Sequence, residues 1–379
     1  MSSDRLLVVA GEASGDRAAA GVVRALGEQM RVFAFGLGGP AMAAAGVSLV
    51  ADLRDTTAMG VGGVARHAAA IALSAGRLLA AAHRERVRVA LLVNYSDFNA
   101  RLAPILHARG VYVVWYGAPQ VWAWRKGRRD TLRPHIDRMA VMLPFEEALW
   151  RERGTFASYV GHPACEAPVR RRAEARALLG LTSLAQTIAI LPGSRPHEVR
   201  ALLPLMLDAY ERVRQDRASI DACLLLASSL DVATRDEARR LATIHRIATF
   251  DVNAAKGAGE VLSAFDVALT ASGTATLEAA LARAIPIVVY RVGLLSEAVA
   301  RAFVRTPHYA LPNVLLGRRA FPELLQRDAT VPRLAVEIGR TLDTRDALLA
   351  SCTAVEAALG EQRNPSRTVA QWLLPWLTS

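Results

Sequence analysis

The sequence predicts an α/β protein of two doubly wound, Rossmann-like domains. Three observations carry this. Apolar, β-rich runs alternate with segments of helical period almost from end to end. The runs are continuously apolar, as in parallel strands buried on both faces of a sheet. They also form two series, divided near 163–186 by a stretch with proline, an arginine run and a new helical segment. At 379 residues the chain is long for one domain and suits two of roughly 150–200 residues each.

Strand patterns of the first series lie at 6–10, 32–36, 88–93, 111–116 and 137–143, and those of the second at 187–192, 222–228, 246–250, 265–270 and 285–290. Helical patterns occupy 14–29, 197–215, 232–243, 274–284 and 332–342. A last helix, around 366–377, holds Trp372, Pro375 and Trp376 and is expected to cross back onto the first domain. The expected organisation is 1–163, 164–360 and a returning segment 361–379. In such sheets ligands sit beyond the carboxyl ends of the strands. Two sheets facing a cleft then make the residues after each strand the ones to read.

Composition narrows the class. With 52% hydrophobic and 21% charged residues the chain has a large core. Cys165, Cys223 and Cys352 are odd in number and widely spaced, which fits a reducing cytoplasm rather than a disulfide framework. The start, MSSDRLLVVAGEASGD, runs straight into a strand pattern, so no signal peptide is expected. No apolar run of about 18 residues occurs, so no membrane span is expected; the nearest, 58–82, is broken by Arg66, His67 and Arg77. The formal charge is +11, and lysine occurs only at 126 and 256. Arginines crowd 124–138 and 170–172. A solvated face is the plain account; an anionic substrate or lipid surface are sharper ones. Nucleic acid is not expected, because none of its motifs is present. The histidines are scattered and HExxH and DxD are missing, so neither a metal nor a cofactor is expected. His162, in YVGHP, is set apart by its place at the interdomain boundary.

Four strand-end loops carry the chemistry. In AGEASGDRAAA, Gly11 and Gly15 allow tight turns and Ser14 or Asp16 can cap the following helix. The spacing is not that of GxGxxG, a P-loop or GxSxG. In VALLVNYSDFNARLA, Asn94, Tyr95, Ser96 and Asp97 follow a buried strand directly. In LPGSRPHEV, Pro192 and Gly193 turn the chain, Ser194 can cap, and Arg195 at the helix start makes a diphosphate site with the backbone N–H groups. In ALTASGTATLEAALA, the Ser272, Gly273 and Thr274 turn offers further donors. Glu278 shares a helical face with Thr274 and can accept from a ribose diol.

Taken with AMGVGG, APQVWAWRKGR, LPFE, YVGHP, VVYR and LPNVLLGRRAFPELLQ, in this order over roughly 8–326, these loops resemble the lipid-A-disaccharide synthase family, inverting glycosyltransferases of GT-B architecture. The resemblance implies that UDP-2,3-diacylglucosamine is joined to 2,3-diacylglucosamine 1-phosphate (lipid X), giving a β-1,6 disaccharide 1-phosphate and UDP. It implies a donor site with Gly193, Ser194, Arg195, Ser272, Gly273, Thr274, Glu278 and Asn313. Ser14, Gly15, Asp16, Trp124 and Arg125 fall on the acceptor side, and Asn94, Asp97 and Glu12 at the reacting centre. It also implies attachment to the cytoplasmic face of the inner membrane of a Gram-negative bacterium, with an anionic leaflet as partner. Residues 59–82 and the tryptophans are candidates for the lipid-facing lip, beside an ordinary core helix for 68–82. A homodimer is left open.

Two departures bear on mechanism. The family pattern I-D-x-P-D-F-N reads Val93-Asn94-Tyr95-Ser96-Asp97-Phe98-Asn99 here, and the glutamate of M-G-x-x-E-V is Gly63. Asparagine can orient a hydroxyl but cannot take its proton at neutral pH. Three readings follow. Asp97, Glu12 or Asp16 serves as base, with Asp97 alternatively capping its helix; transfer proceeds slowly by positioning alone; or the chain is a divergent paralogue that binds UDP-sugar without the usual transfer or uses another acceptor. A UDP-sugar epimerase on a similar frame is disfavoured by VWAWR and LPNVLLGR.

Overall fold

The computed structural model describes residues 4–53, 63–167, 169–181, 185–217, 219–253, 256–291 and 306–378. The chain divides into two compact units, Met1–Glu166 with Glu361–Ser379, and Ala167–Gly360.

The first unit is built on β1 (Arg5–Ala10), β2 (Phe33–Gly38), β3 (Ser48–Asp52), β4 (Val89–Val93), β5 (Tyr112–Tyr116), β6 (Arg138–Val141) and β7 (Ala157–Tyr159). Their order among the described residues is β3-β2-β1-β4-β5-β6-β7, every pair parallel. The order reverses between β1 and β4, the place where a doubly wound sheet opens a crevice. Register pairs Ala10 with Val93 and Val93 with Tyr116, so these three strand ends lie level. VALLV is buried at every position because helices cover both faces. Helix Ala13–Gly27 buries Ala18, Ala19, Val22, Val23 and Leu26. Helix Pro365–Leu377 packs along it, tied by Ser366, whose N–H and hydroxyl donate to Glu166 at 2.7 and 2.6 Å. Its Trp376 stacks on Tyr112 with centroids 4.0 Å apart.

The second unit holds β8 (Gln186–Leu191), β9 (Ile220–Leu226), β10 (Ala248–Asp251), β11 (Val267–Thr270), β12 (Ile285–Tyr290) and β13 (Glu323–Leu325). They form a second parallel sheet, β10-β9-β8-β11-β12-β13, which reverses between β8 and β11. Helices Pro196–Asp216 and Val331–Asp343 pack on each other and bury Leu202, Met206, Leu334 and Ile338 in one core. Leu262, Phe265 and Ala279 belong to a second core.

The sequence does not announce β3, β7 and β13. β3 runs beside only one partner and exposes much of SLVAD, so it lacks a continuous apolar run. β7 and β13 have three residues each, shorter than the window in which a strand pattern registers. No helix among the described residues is long and apolar enough to cross a membrane.

Candidate active site

The reversal point of the first unit gathers Gly11, Glu12, Ser14 and Gly15 after β1, Asn94 to Asp97 after β4, and Gly117 after β5. Asn94 and Tyr95 are consecutive left-handed residues, with φ of 48° and 44°. Asparagine tolerates this region; tyrosine does not, and the strain is roughly 1–2 kcal/mol. Packing holds the pair in place. A Cβ at Gly11 would lie 2.1 Å from Tyr95 Cγ, and one at Gly117 would lie 2.0 Å from Asn94 Oδ1. The ring of Tyr95 stacks on Phe98 at 5.0 Å. The buried Asn99 amide donates to the Asn94 carbonyl at 2.9 Å. Asn94 also approaches Gly15, with 3.5 Å from its Cβ to a Cβ placed there. The backbone beyond β1 and β5 therefore closes on Asn94 and Tyr95, with glycine wherever it comes nearest.

The carboxylates expected there have different employments. Asp16 is buried and caps helix Pro40–Ala44 instead of its own, accepting from the N–H groups of Gly39, Ala41 and Met42 at 2.8, 2.9 and 3.0 Å. Burial raises its pKa while these donors oppose the rise. Neither Ser14 nor Asp16 caps helix Ala13–Gly27; Glu12 is the N-cap residue, without a side-chain cap bond. Asp97 does not cap helix Ser96–His107, whose N-cap Tyr95 lacks such a bond. It pairs with Arg125 at 2.8 Å and with Arg128. Burial pushes Asp97 up, but the two guanidiniums outweigh it and its pKa is lowered.

Trp124 and Arg125 sit on the loop after β5. The Arg125 guanidinium lies 4.2 Å from the Trp124 ring centroid and that of Arg128 5.8 Å. Arg125 is itself left-handed, with φ 53°. The result is two cations around an indole, Arg125 exposed and Arg128 largely covered, held by one carboxylate. His162 is not an open cleft residue: it is buried, and its Nδ1 accepts from Ala164 N–H at 3.0 Å, which caps the turn Pro163–Cys165. Burial, aided by the charge of Arg17, lowers its pKa to about 4, so the ring is neutral. Sequence reasoning missed Glu146 of LPFE, a buried carboxylate that accepts from Trp122 Nε1 at 3.0 Å. Burial raises it to about 7, against the Trp122, Leu143 and Met142 donors. The motif was visible; nothing in its spacing announced burial.

In the second unit, the reversal point brings together the turns after β8 and β11, whose ends pair Leu191 with Thr270. Ser194 does not cap helix Pro196–Asp216. The Glu198 carboxylate does, accepting from the N–H groups of Ser194 and Arg195 at 3.1 and 3.2 Å. Those two donors are therefore not open to a diphosphate. The half-exposed Arg195 guanidinium leans on Glu198 at 3.4 Å. A Cβ at Gly193, where φ is +123°, would lie 2.4 Å from Glu198 Oε2, so glycine admits this carboxylate. The Ser272 hydroxyl donates to Tyr309 O at 2.9 Å, Gly273 is the N-cap of helix Thr274–Leu281, and Glu278 is buried one turn in. Asn313 does not line an open surface. Its side chain is fully buried, donating to Phe321 O and Glu323 Oε1 and accepting from the N–H groups of Ala320 and Phe321. The same Glu323 oxygen accepts from Tyr309 N–H at 3.1 Å, so Asn313 braces the segment that receives Ser272. No group of three or more potential metal ligands occurs among the described residues.

The sequence model of one family, lipid-A-disaccharide synthetase, matches residues 6–370. The chain belongs to this family. A relative from Anaeromyxobacter dehalogenans (strain 2CP-1), named lipid-A-disaccharide synthase, is 42% identical over 378 residues, 98% of this chain and 97% of its own. Among solved structures, a putative UDP-N-acetylglucosamine 2-epimerase from Listeria monocytogenes superposes with a TM-score of 0.67 at 12% identity, covering 99% and 97% of the two chains. A spinosyn rhamnosyltransferase gives 0.59 at 14% identity, covering 97% and 99%. At such identities the likeness concerns the fold, which is GT-B. Family membership makes the chain a glycosyltransferase of lipid A biosynthesis. Within the family, this chain carries Asn94 beyond β4 and opens helix Gly63–Arg84 with Gly63. Residues 59–62, part of the expected lipid-facing lip, lie outside the described residues.

Proposed function

We propose that the chain transfers the diacylglucosamine of UDP-2,3-diacylglucosamine to the 6-hydroxyl of 2,3-diacylglucosamine 1-phosphate with inversion, releasing UDP. The observation that carries this is the family match over residues 6–370. The second unit takes the donor. Arg195 exchanges its contact with Glu198 for the diphosphate and stabilises the charge that develops on departing UDP. The turn Ser272 to Thr274 supplies further donors, and Glu278 accepts from the ribose. Asn313 positions this turn through Glu323 and Tyr309.

The first unit takes the acceptor. Arg125 and Arg128, held by Asp97, form the site for its phosphate. Asn94 Oδ1 accepts from the attacking hydroxyl and orients it. We assign the base to Glu12, a carboxylate on the turn between β1 and helix Ala13–Gly27, just past the strand end that lies level with Val93. The hydroxyl oxygen bonds to the donor's anomeric carbon as the bond to the diphosphate breaks, and the proton passes to Glu12. The positive surplus of the chain supports peripheral attachment to an anionic cytoplasmic leaflet.

Asn94 in place of an acidic residue favours one second reading, a paralogue that binds UDP-sugar without this transfer. UDP release from UDP-2,3-diacylglucosamine, with and without lipid X in mixed micelles, separates the two. Lipid X-dependent release, lost by about 10²–10⁴-fold in Glu12→Gln, is expected for the transferase. Binding of UDP without release, with release gained in Asn94→Asp, establishes the paralogue.

A further inference from the structure

The loop between β5 and helix Arg128–Leu132 turns Val121 and Ala123 inward and leaves Arg125 and Lys126 exposed. Its backbone makes local turns, Val121 N–H to Pro119 O and Trp124 N–H to Gln120 O. Beyond Gly117, whose carbonyl accepts from Trp115 Nε1, two side-chain tethers among the described residues fix it to the rest of the unit. One is Asp97 with Arg125 and Arg128, an ion cluster whose Asp97 and Arg125 face water, where salt weakens it. The other is internal. Trp122 donates its indole N–H to Glu146 Oε1, and its ring meets Phe145 edge-on at 5.7 Å. Glu146 Oε2 accepts from Leu143 N–H at 3.1 Å.

Glu146 differs from Glu260 and Asp266, two other buried carboxylates. Glu260 is paired with Lys256 and Arg170, and Asp266 with Arg172. Among the described residues no cation pairs with Glu146, although only 3% of it is exposed. An apolar side chain would fill this place without the desolvation cost of a carboxylate. Its hydrogen bond to Trp122, made to a buried carboxyl, is screened less by water and salt than the Asp97 cluster.

We propose that Glu146 is a positioning residue for the acceptor: its carboxylate fixes Trp122 and thereby the pose in which Trp124, Arg125 and Arg128 meet the acceptor phosphate. This rests on the acceptor assignment made above. Glu146 does not touch the reacting atoms; it acts through the loop.

Trp122→Phe removes the N–H donor and keeps a ring against Phe145, and Glu146→Gln keeps the volume and removes the charge. Each is expected to raise the KM for lipid X about tenfold and leave the KM for UDP-2,3-diacylglucosamine unchanged. The double variant is expected to match the singles instead of multiplying them, since both cut one tether. The indole ¹H–¹⁵N resonance that vanishes in Trp122→Phe should move with pH around 7 in the native chain and stay still in Glu146→Gln. Multiplicative losses, equal effects on both substrates, or an indole resonance indifferent to Glu146 would overturn the proposal. If Glu146→Gln fails to fold, Trp122→Phe decides it through the lipid X KM. A native chain without lipid X-dependent UDP release defeats the transferase reading instead, and the tether is then judged by the indole titration and by direct binding of lipid X.

Discussion

Asn94 shows how neighbours fix the pose of a single side chain. Its left-handed backbone, the Gly117 opposite its amide and the Asn99 hook on its carbonyl leave one pose for the side chain. Gly117→Ala puts a methyl group 2.0 Å from Asn94 Oδ1 at a φ of +80°. It should cost about 1–3 kcal/mol in urea unfolding and reduce turnover, while UDP affinity stays unchanged. Two buried titrating groups of the same unit predict opposite slopes of stability with pH. His162 falls from 6.5 unfolded to about 4 folded, so the unfolded chain holds the extra proton between these values. Its contribution is present above 6.5 and is lost as pH falls towards 4, about 3 kcal/mol in all. Glu146 rises from 4.5 to about 7, so the folded chain holds the extra proton. Its contribution is present below 4.5 and is lost as pH rises through 7, again about 3 kcal/mol. The two nearly cancel between 4.5 and 6.5. Unfolding free energies of His162→Gln and Glu146→Gln, subtracted from native values across pH 4–8, should uncover one rising and one falling difference curve; flat curves would show that these groups are solvated.

At the scale of elements, the candidate sites sit where a buried strand hands over to a helix, and much of this geometry was legible. Continuous runs such as VALLV and QTIAIL marked strands because both faces of a parallel sheet are covered. The loops after β1, β4, β8 and β11 drew attention because polar residues follow apolar runs abruptly. What they do locally was not legible. The sequence suggests Ser14, Asp16, Asp97 and Ser194 as caps, since each stands near a helix start. Capping geometry depends on the exact backbone turn, and Asp16 instead caps a helix 24 residues onward while Glu198 reaches back over its own first turn. The Trp122–Glu146 bond joins residues 24 apart in sequence and on different elements, a separation no periodicity reports. Glu198 offers the test at this scale. Glu198→Ala strips the Ser194 and Arg195 N–H groups of their acceptor and should destabilise the second unit by about 1–2 kcal/mol, seen as a lower thermal midpoint. Arg195→Ala should leave that midpoint nearly unchanged, because a half-exposed guanidinium at 3.4 Å contributes little, yet weaken UDP binding by tenfold or more in calorimetry. Unchanged UDP affinity in Arg195→Ala would remove it from the donor site.

At the scale of the molecule, the two units share one plan, a parallel sheet with the same order of reversal, and differ in what they place at it. The first sets an indole, two arginines and an amide beyond its strands; the second sets small hydroxylated turns and one arginine. Small donors on tight turns suit a diphosphate, whereas the larger groups suit a phosphate carried on a bulky sugar. Each unit also has its own core, so a ligand of one need not stabilise the other. UDP at a hundred times its Kd stabilises whatever folds around it by about 2.7 kcal/mol, equivalent to about a hundredfold slower exchange of amides that open only with that unit. Hydrogen exchange with and without UDP should therefore slow the amides of β8 and β11 and of the turns at 193–195 and 272–274, with little change in β1 and β4. The opposite pattern, protection concentrated on β1, β4 and the Gly11–Gly15 turn, would move the nucleotide to the first unit and reverse the assignment of donor and acceptor.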